Sequence, residues 1–230
     1  MAARRISGSR RRQQILDVAT ELFARQGFAG TTTRQIAQRA GVTEALVFRH
    51  FPRKQDLYWA VIDYKCQAGS PDLRRQLQQG GTERQALAGI AEEFFRRNFE
   101  DNTLGRLLLF SALEQHQLSH RFFRTHVAER YEILADYIRR GVREGRFRRV
   151  NPLLAARCFF GMVIYHFLIQ ELFGGKREQK FDSAEVSRVL AEIWHDGMRA
   201  RNGRRFRESN QAKRRSSRCR RFTGRHSTDG

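Results

Sequence analysis

The groups from which this sequence could build a reactive centre are its seven histidines, three cysteines and twenty-four carboxylates. Cys66, Cys158 and Cys219 are far apart, odd in number and outside any CxxC spacing, so neither a disulfide framework nor a thiolate metal set is expected, and a reducing compartment is implied. His116 and His120 stand four residues apart with His126 beyond, a spacing that can hold a metal. Only Glu114 is near enough to complete the set, and surface histidines account for them better. Glu92 and Glu93 are neighbours, so on a helix they point different ways, which suits a solvated face rather than an acid–base pair. There is no Gly-rich phosphate loop, no nucleophile elbow and no HExxH. These spacings point away from an enzyme: no catalytic residue, no metal and no cofactor are expected.

The chemistry that does emerge is binding chemistry, concentrated between Thr32 and Lys54. Ile36 and Ala37 fall on the inward face of one short helix, and Val42, Val47 and Phe51 are the inward residues of the turn and helix that follow. Between them Ala40-Gly41-Val42-Thr43 reads as a tight turn, with Thr43 as the N-cap of the second helix. Thr32 or Thr33 caps the first. Two short helices joined at a glycine are the helix-turn-helix pattern, in which the second helix offers its unburied side chains to a major groove. Arg34 and His50 can bond to phosphate or to guanine acceptors.

The elements that must position this motif read as helices throughout. A first helix over Arg11–Gln26 carries Ile15, Val18, Ala19, Leu22 and Phe23 on one face and stops at Gly27. Pro52 separates the recognition helix from a fourth, about Arg53–Gln67, which buries Leu57, Ala60, Val61 and Tyr64. Longer helices are expected near 82–101, 103–115, 119–143, 152–173 and 183–200, and no segment alternates with period two. The apolar run Leu153–Phe173 approaches membrane-spanning length, but Arg157, His166, Gln170 and Glu171 interrupt it, which favours a buried or interfacial helix. The basic N-terminus lacks the apolar stretch of a signal peptide. A cytoplasmic protein with no membrane partner is expected.

The segment 10–60, including Phe23-Ala24-Arg25-Gln26-Gly27-Phe28 and Lys54-Gln55-Asp56-Leu57, resembles the DNA-binding domain of the TetR family of regulators. The resemblance implies an all-α fold. An N-terminal three-helix helix-turn-helix domain precedes a C-terminal helical ligand-binding and dimerisation domain. It implies a homodimer that binds double-stranded operator DNA, represses, and lets go on binding a small-molecule effector. Carried onto this chain, Thr33, Phe48 and Lys54 would contact phosphate, and Arg34, Glu44, Ala45, Leu46 and His50 would face the groove. Leu46 stands where the family often has a small hydroxyl residue, and Phe48 where tyrosine is common, so an apolar contact replaces one polar contact and a phenolic bond is lost.

The other half is less explicit. An apolar effector would be met by some of Phe94, Phe110, Phe123, Tyr131, Phe159, Met162, Tyr165 and His166, which ordinary core packing accounts for as well. The last two helices are apolar on more than one face. By analogy with the family, Phe160, Val163, Ile164, Phe167, Leu190, Ile193 and Trp194 would form the subunit contact. The net charge of +20 is unevenly spread: +5 in residues 1–12, +9 in 201–230 and +6 between. Four stretches are therefore expected. They are a basic arm (1–9), a DNA-binding domain (10–68), a ligand-binding and dimerisation domain (69–200) and an Arg-rich tail (201–230), the last free to bind any polyanion or simply to stay solvated.

Overall fold

A computed structural model describes residues 7–67, 72–78, 81–114 and 117–200. Most of the described residues are helical, and they form no strand beyond a single antiparallel bridge between Phe147 and Arg199. Helix α1, Gly8–Gln26, starts earlier than the sequence suggested because the Ser7 hydroxyl accepts from the Arg10 N–H. Residues 8 and 9, expected in a basic arm, are its first turn. It ends at Gly27, whose φ of 72° suits glycine, and a Cβ there would also meet Phe110 Cδ1 at 2.9 Å.

Helix α2, Thr33–Arg39, opens on a capping box: the Thr32 hydroxyl accepts from the Gln35 N–H at 3.1 Å, and the Gln35 side chain accepts from the Thr32 N–H at 2.8 Å. Gly41, φ 62°, makes the turn into α3, Glu44–His50, which Thr43 caps. Helix α4, Lys54–Gln67, closes the head. Ile15, Phe23, Ile36, Val47, Leu57 and Tyr58 are its fully buried centre.

The body follows as α5 (Leu73–Gln78), α6 (Glu83–Glu100), α7 (Thr103–Leu113), α8 (Gln117–Phe122), α9 (Ala128–Arg143), α10 (Pro152–Phe167), α11 (Gly175–Glu178) and α12 (Ser183–Met198). The helix expected over 119–143 is present as an unbroken helical run from α8 to α9, with a π-helical turn, Phe123–Val127, inside it. A second one, Leu168–Leu172, extends α10. Each π turn rotates the residues after it relative to those before. The body core gathers Leu87, Phe95, Leu134, Ile138, Phe159 and Val163 from α6, α9 and α10. Trp194 joins it from α12, its indole N–H donating to the Ala155 carbonyl at 3.0 Å. Residues 152–172 are long and apolar enough to cross a membrane; here Ala156, Phe159, Val163 and Phe167 from that run are buried in the body core.

The two cores meet along α7. Leu107 is completely buried in the head's cluster, as is most of Leu118 from α8. The Arg106 Nε donates to the Ala24 carbonyl at 2.8 Å, and the Tyr58 hydroxyl donates to the Leu107 carbonyl at 2.9 Å. Beyond the end of α7, Glu114 accepts from the Phe28 and Ala29 N–H groups at 3.2 and 3.3 Å. The domain boundary expected at 68/69 falls where residues 68–71 are outside the described residues, but the packing does not divide there: α7 and α8 complete the head's core.

Candidate DNA-reading surface and effector cavity

Helix α3 is held by one fully buried residue, Val47, with Ala45, Phe48 and Arg49 exposed and the others half-buried. Ala45 and Phe48 are exposed, and Leu46 and His50 are half-buried. Arg34 projects into solvent from the first turn of α2. All five residues, on α2 and α3, are at least partly exposed. Thr33 and Glu44 do something more local. The Thr33 hydroxyl donates to Glu44 Oε1 at 2.5 Å, tying the start of α2 to the start of α3. The half-buried Lys54 has its ammonium 4.2 Å from the centroid of the Phe28 ring, and burial holds its pKa below the usual lysine value against the pull of Glu114. Exposed Arg49, on the recognition helix, and Arg12, whose guanidinium lies 4.8 Å over the Phe51 ring, are two cations sequence reasoning passed over.

A cavity of about 610 Å³ lies between α6, α7, α9 and α10, with the end of α4 and α5 at one side. Its apolar walls are Ile90 and Phe94 from α6, Leu104 and Leu108 from α7, Tyr131 from α9, and Phe160, Ile164 and Phe167 from α10. The π turns contribute Val127 and Leu168. Polar groups gather on another side: Lys65 and Cys66 from α4, Gln76 from α5, Arg97 from α6 and Arg130 from α9. Lys65 pairs with Asp101 at 2.6 Å. Burial pushes the Cys66 thiol up to about 11, so it stays protonated and contributes no charge. Burial, above all, also lowers the Arg130 pKa, and the neighbouring Arg97 guanidinium adds to it. A second hollow of about 600 Å³, bordered by His120, Arg121, Arg124 and Thr125, has only exposed side chains on its rim and is an open surface feature.

The structure redistributes the residues expected in the sensing half. Of the effector candidates, Phe94 and Tyr131 line the cavity. Phe159 is buried in the body core, and Met162 packs against that core. Phe110 sits at the junction beside Gly27, and Phe123 is partly exposed beside Tyr131. Tyr165 is 66% exposed, and His166 stands between the rings of Phe95 and Phe181. Of the subunit-contact candidates, Phe160, Val163, Phe167 and Trp194 are buried within the subunit itself, and Phe160, Ile164 and Phe167 face the cavity. Leu190 is half-buried against the core, and Ile193 is 60% exposed. The reason is rotational: α10 is apolar all round, so periodicity could not say which stripe faces core, cavity or outside. The outward stripe is Leu154, Cys158, Gly161 and Tyr165, with Val189, Ile193 and Gly197 beside it on α12. His116 lies outside the described residues.

A helix-turn-helix head joined through one shared helix to a helical body with an apolar cavity is the build of a DNA-binding regulator. Residues 15–61 match the family described as bacterial regulatory proteins, tetR family, and residues 85–194 match the AefR-like transcriptional repressor C-terminal domain. The chain is 31% identical over 149 residues to the nucleoid occlusion factor SlmA of Marinobacter nauticus, covering 60% of this chain and 70% of that protein. It is 32% identical over 106 residues to the transcriptional activator FasR of Mycolicibacterium smegmatis, covering 46% of this chain and 48% of that one. The match therefore spans about half of that relative's length, and about a quarter of the length of others matched over 50 residues. Among solved structures, the regulator FadR from Bacillus subtilis, in complex with stearoyl-CoA, superposes with a TM-score of 0.61 at 21% identity, over 80% of this chain and 98% of that one. The chain belongs to the tetR family, a family of regulators rather than enzymes.

Proposed function

We propose that this protein is a dimeric cytoplasmic repressor that binds a palindromic operator through α2 and α3 and releases it when a small, mainly apolar effector enters the body cavity. The observation that carries this reading is the double exposure of α7. Its Leu104 and Leu108 line the cavity, while its Arg106 and Leu107, and the Glu114 that follows it, grip the head. An effector that displaces α7 must therefore move the head, since Leu107 cannot leave the head's core without opening it. The match of the body to a repressor's C-terminal domain supports the sign of the response, and the stearoyl-CoA bound by the neighbouring FadR fold supports an apolar effector.

Arg34, Ala45, Leu46, Phe48 and His50 meet the DNA. Thr33 and Glu44 orient the two helices and contact it at most through what their mutual bond leaves free, and Lys54 packs on Phe28 within the head. The dimer forms through the outward stripe of α10 and α12, whose apolar residues would otherwise stand in water and whose glycines allow close approach. The experiment is binding of the full-length protein to the DNA upstream of its own gene, against random DNA, for wild type and for Arg34→Ala with His50→Ala. Preference for one palindromic site, lost in the double variant, is the expected result. Equal affinity for every DNA would overturn the reading.

A further inference from the structure

The short helix α5 has an inward face, and one position on it is polar. Leu73 is buried in the body core and Leu77 packs against it, while Asp72, Arg74, Arg75 and Gln78 are exposed. Gln76, three residues on from Leu73, shares the inward face and borders the cavity. Its side-chain oxygen is buried without a hydrogen-bond partner among the described residues. Such an atom costs stability unless a donor from outside the protein reaches it.

The charged groups of the same wall are balanced. Lys65 pairs with Asp101 at 2.6 Å, Arg96 with Glu93 at 2.8 Å and Glu100 at 3.8 Å, and Arg97 with Glu93 at 3.8 Å. His126 Nε2, buried and without a hydrogen bond, lies 3.3 Å from the Asp63 carboxylate, and Arg130 is engaged as well. Cys66 is a neutral thiol. Among the described residues the wall therefore offers an entering ion no unpaired charge to set against its loss of water. The group that lacks a partner is a neutral oxygen, and an oxygen can only accept.

Resting on the effector-cavity reading above, we infer that the cavity takes an uncharged amphiphile. Its apolar chain lies along Leu104, Leu108, Ile164 and Phe167, and its head carries one hydrogen-bond donor, a hydroxyl or N–H group, that donates to the Gln76 side-chain oxygen.

The test is calorimetric titration of the full-length protein with decanol, nonyl methyl ether, decanoate, decylammonium and decanoyl-CoA, each also scored for release of operator DNA. The alcohol and the ether have the same number of heavy atoms, but only the alcohol donates. Decanol should bind about tenfold more tightly than the ether, as one hydrogen bond to an otherwise unsatisfied buried oxygen allows, and more tightly than each of the ions. Gln76→Met keeps the length of the side chain and removes its oxygen. It should bring decanol down to the level of the ether and leave the ether unchanged, which shows that the cavity is still folded. The comparison of alcohol with ether in the wild type needs no variant. Equal binding of the two there, tighter binding of any ion than of decanol, or a preference for the alcohol that survives Gln76→Met would each overturn the inference and leave the cavity reading standing. If none of the five compounds binds, the cavity reading falls and takes the inference with it. If decanol binds with the expected preference without releasing DNA, Gln76 stands as the anchor of the cavity and the effector role falls.

Discussion

Two side chains carry consequences larger than their size. The Tyr58 hydroxyl donates to the Leu107 carbonyl in a buried place, and burial, with Glu114 nearby, holds the phenol protonated well above its ordinary range. Tyr58→Phe should cost about 1 kcal/mol in thermal unfolding, the net worth of one buried hydrogen bond. Because that bond crosses from head to body, the variant should also need more effector to release the operator. His166 is held below its ordinary pKa by burial. Its folded pKa therefore lies under the unfolded value of about 6.5, so above that pH the residue contributes nothing to pH dependence. As pH falls through about 6.5 the unfolded chain takes up the proton first, and stability is lost. The variant His166→Gln lacks this loss, so the melting temperature of the wild type relative to that of the variant should fall as the pH drops below about 6.5. A constant gap between them would mean that His166 titrates alike in both states. Arg130 and Arg97 were invisible in the sequence for a simple reason: they are two among 44 lysines and arginines, and nothing local distinguishes a guanidinium facing a cavity from one facing water.

Elements were legible where a helix has one job. The head's first three helices each have one apolar stripe and a hydroxyl cap, so most of their inward residues follow from spacing, and the alternatives for the α2 cap resolve to Thr32 because Gln35 completes its box; α4 lacks such a cap, and its Tyr64, expected inside, is exposed. Thr32→Ala should therefore cost about 1 kcal/mol and weaken DNA binding with it, measured by melting and by operator titration. Helix α10 has three jobs. It fills the body core with Phe159 and Val163, lines the cavity with Phe160 and Ile164, and shows Leu154 and Tyr165 to the outside. Apolar residues are right for all three, and the choice is made by which helices lie alongside, information that no window of sequence contains. The π turns blurred the rest, since each shifts the register by which later side chains are assigned to a face. Helix α7 offers the sharpest test at this scale: Leu108→Trp should fill part of the cavity, leaving operator affinity within about threefold and abolishing release by effector, as a lost entropy of entry and lost space act only on the ligand.

At the scale of the whole molecule, α10 and α12 present Leu154, Tyr165 and Ile193 at exposures of 62%, 66% and 60%. Ile193→Asp with Tyr165→Glu should give a single-chain mass in sedimentation and lose operator binding, while melting of the separated chain remains cooperative. The charge of residues 201–230, which lie outside the described residues, acts at this scale too: +9 in a short stretch should add to phosphate neutralisation. Removing it should flatten the dependence of log affinity on log salt without altering the preferred site. An unchanged slope would mean that the tail stays off the DNA.

The shared core along α7 bears on how such proteins can diversify. A head that borrowed nothing from its body could be cut at residue 67 and fused to any other sensor. Here the cut would strip Leu107 and Leu118 from a hydrophobic centre that includes Ile15, Phe23 and Tyr58. A working chimaera must carry the donor's α7 with the donor's head, and because the same helix lines the cavity, part of the old ligand preference travels with the old operator preference. New pairings of signal and gene in this fold then arise more readily by point changes on the far walls of the cavity than by exchange of whole domains.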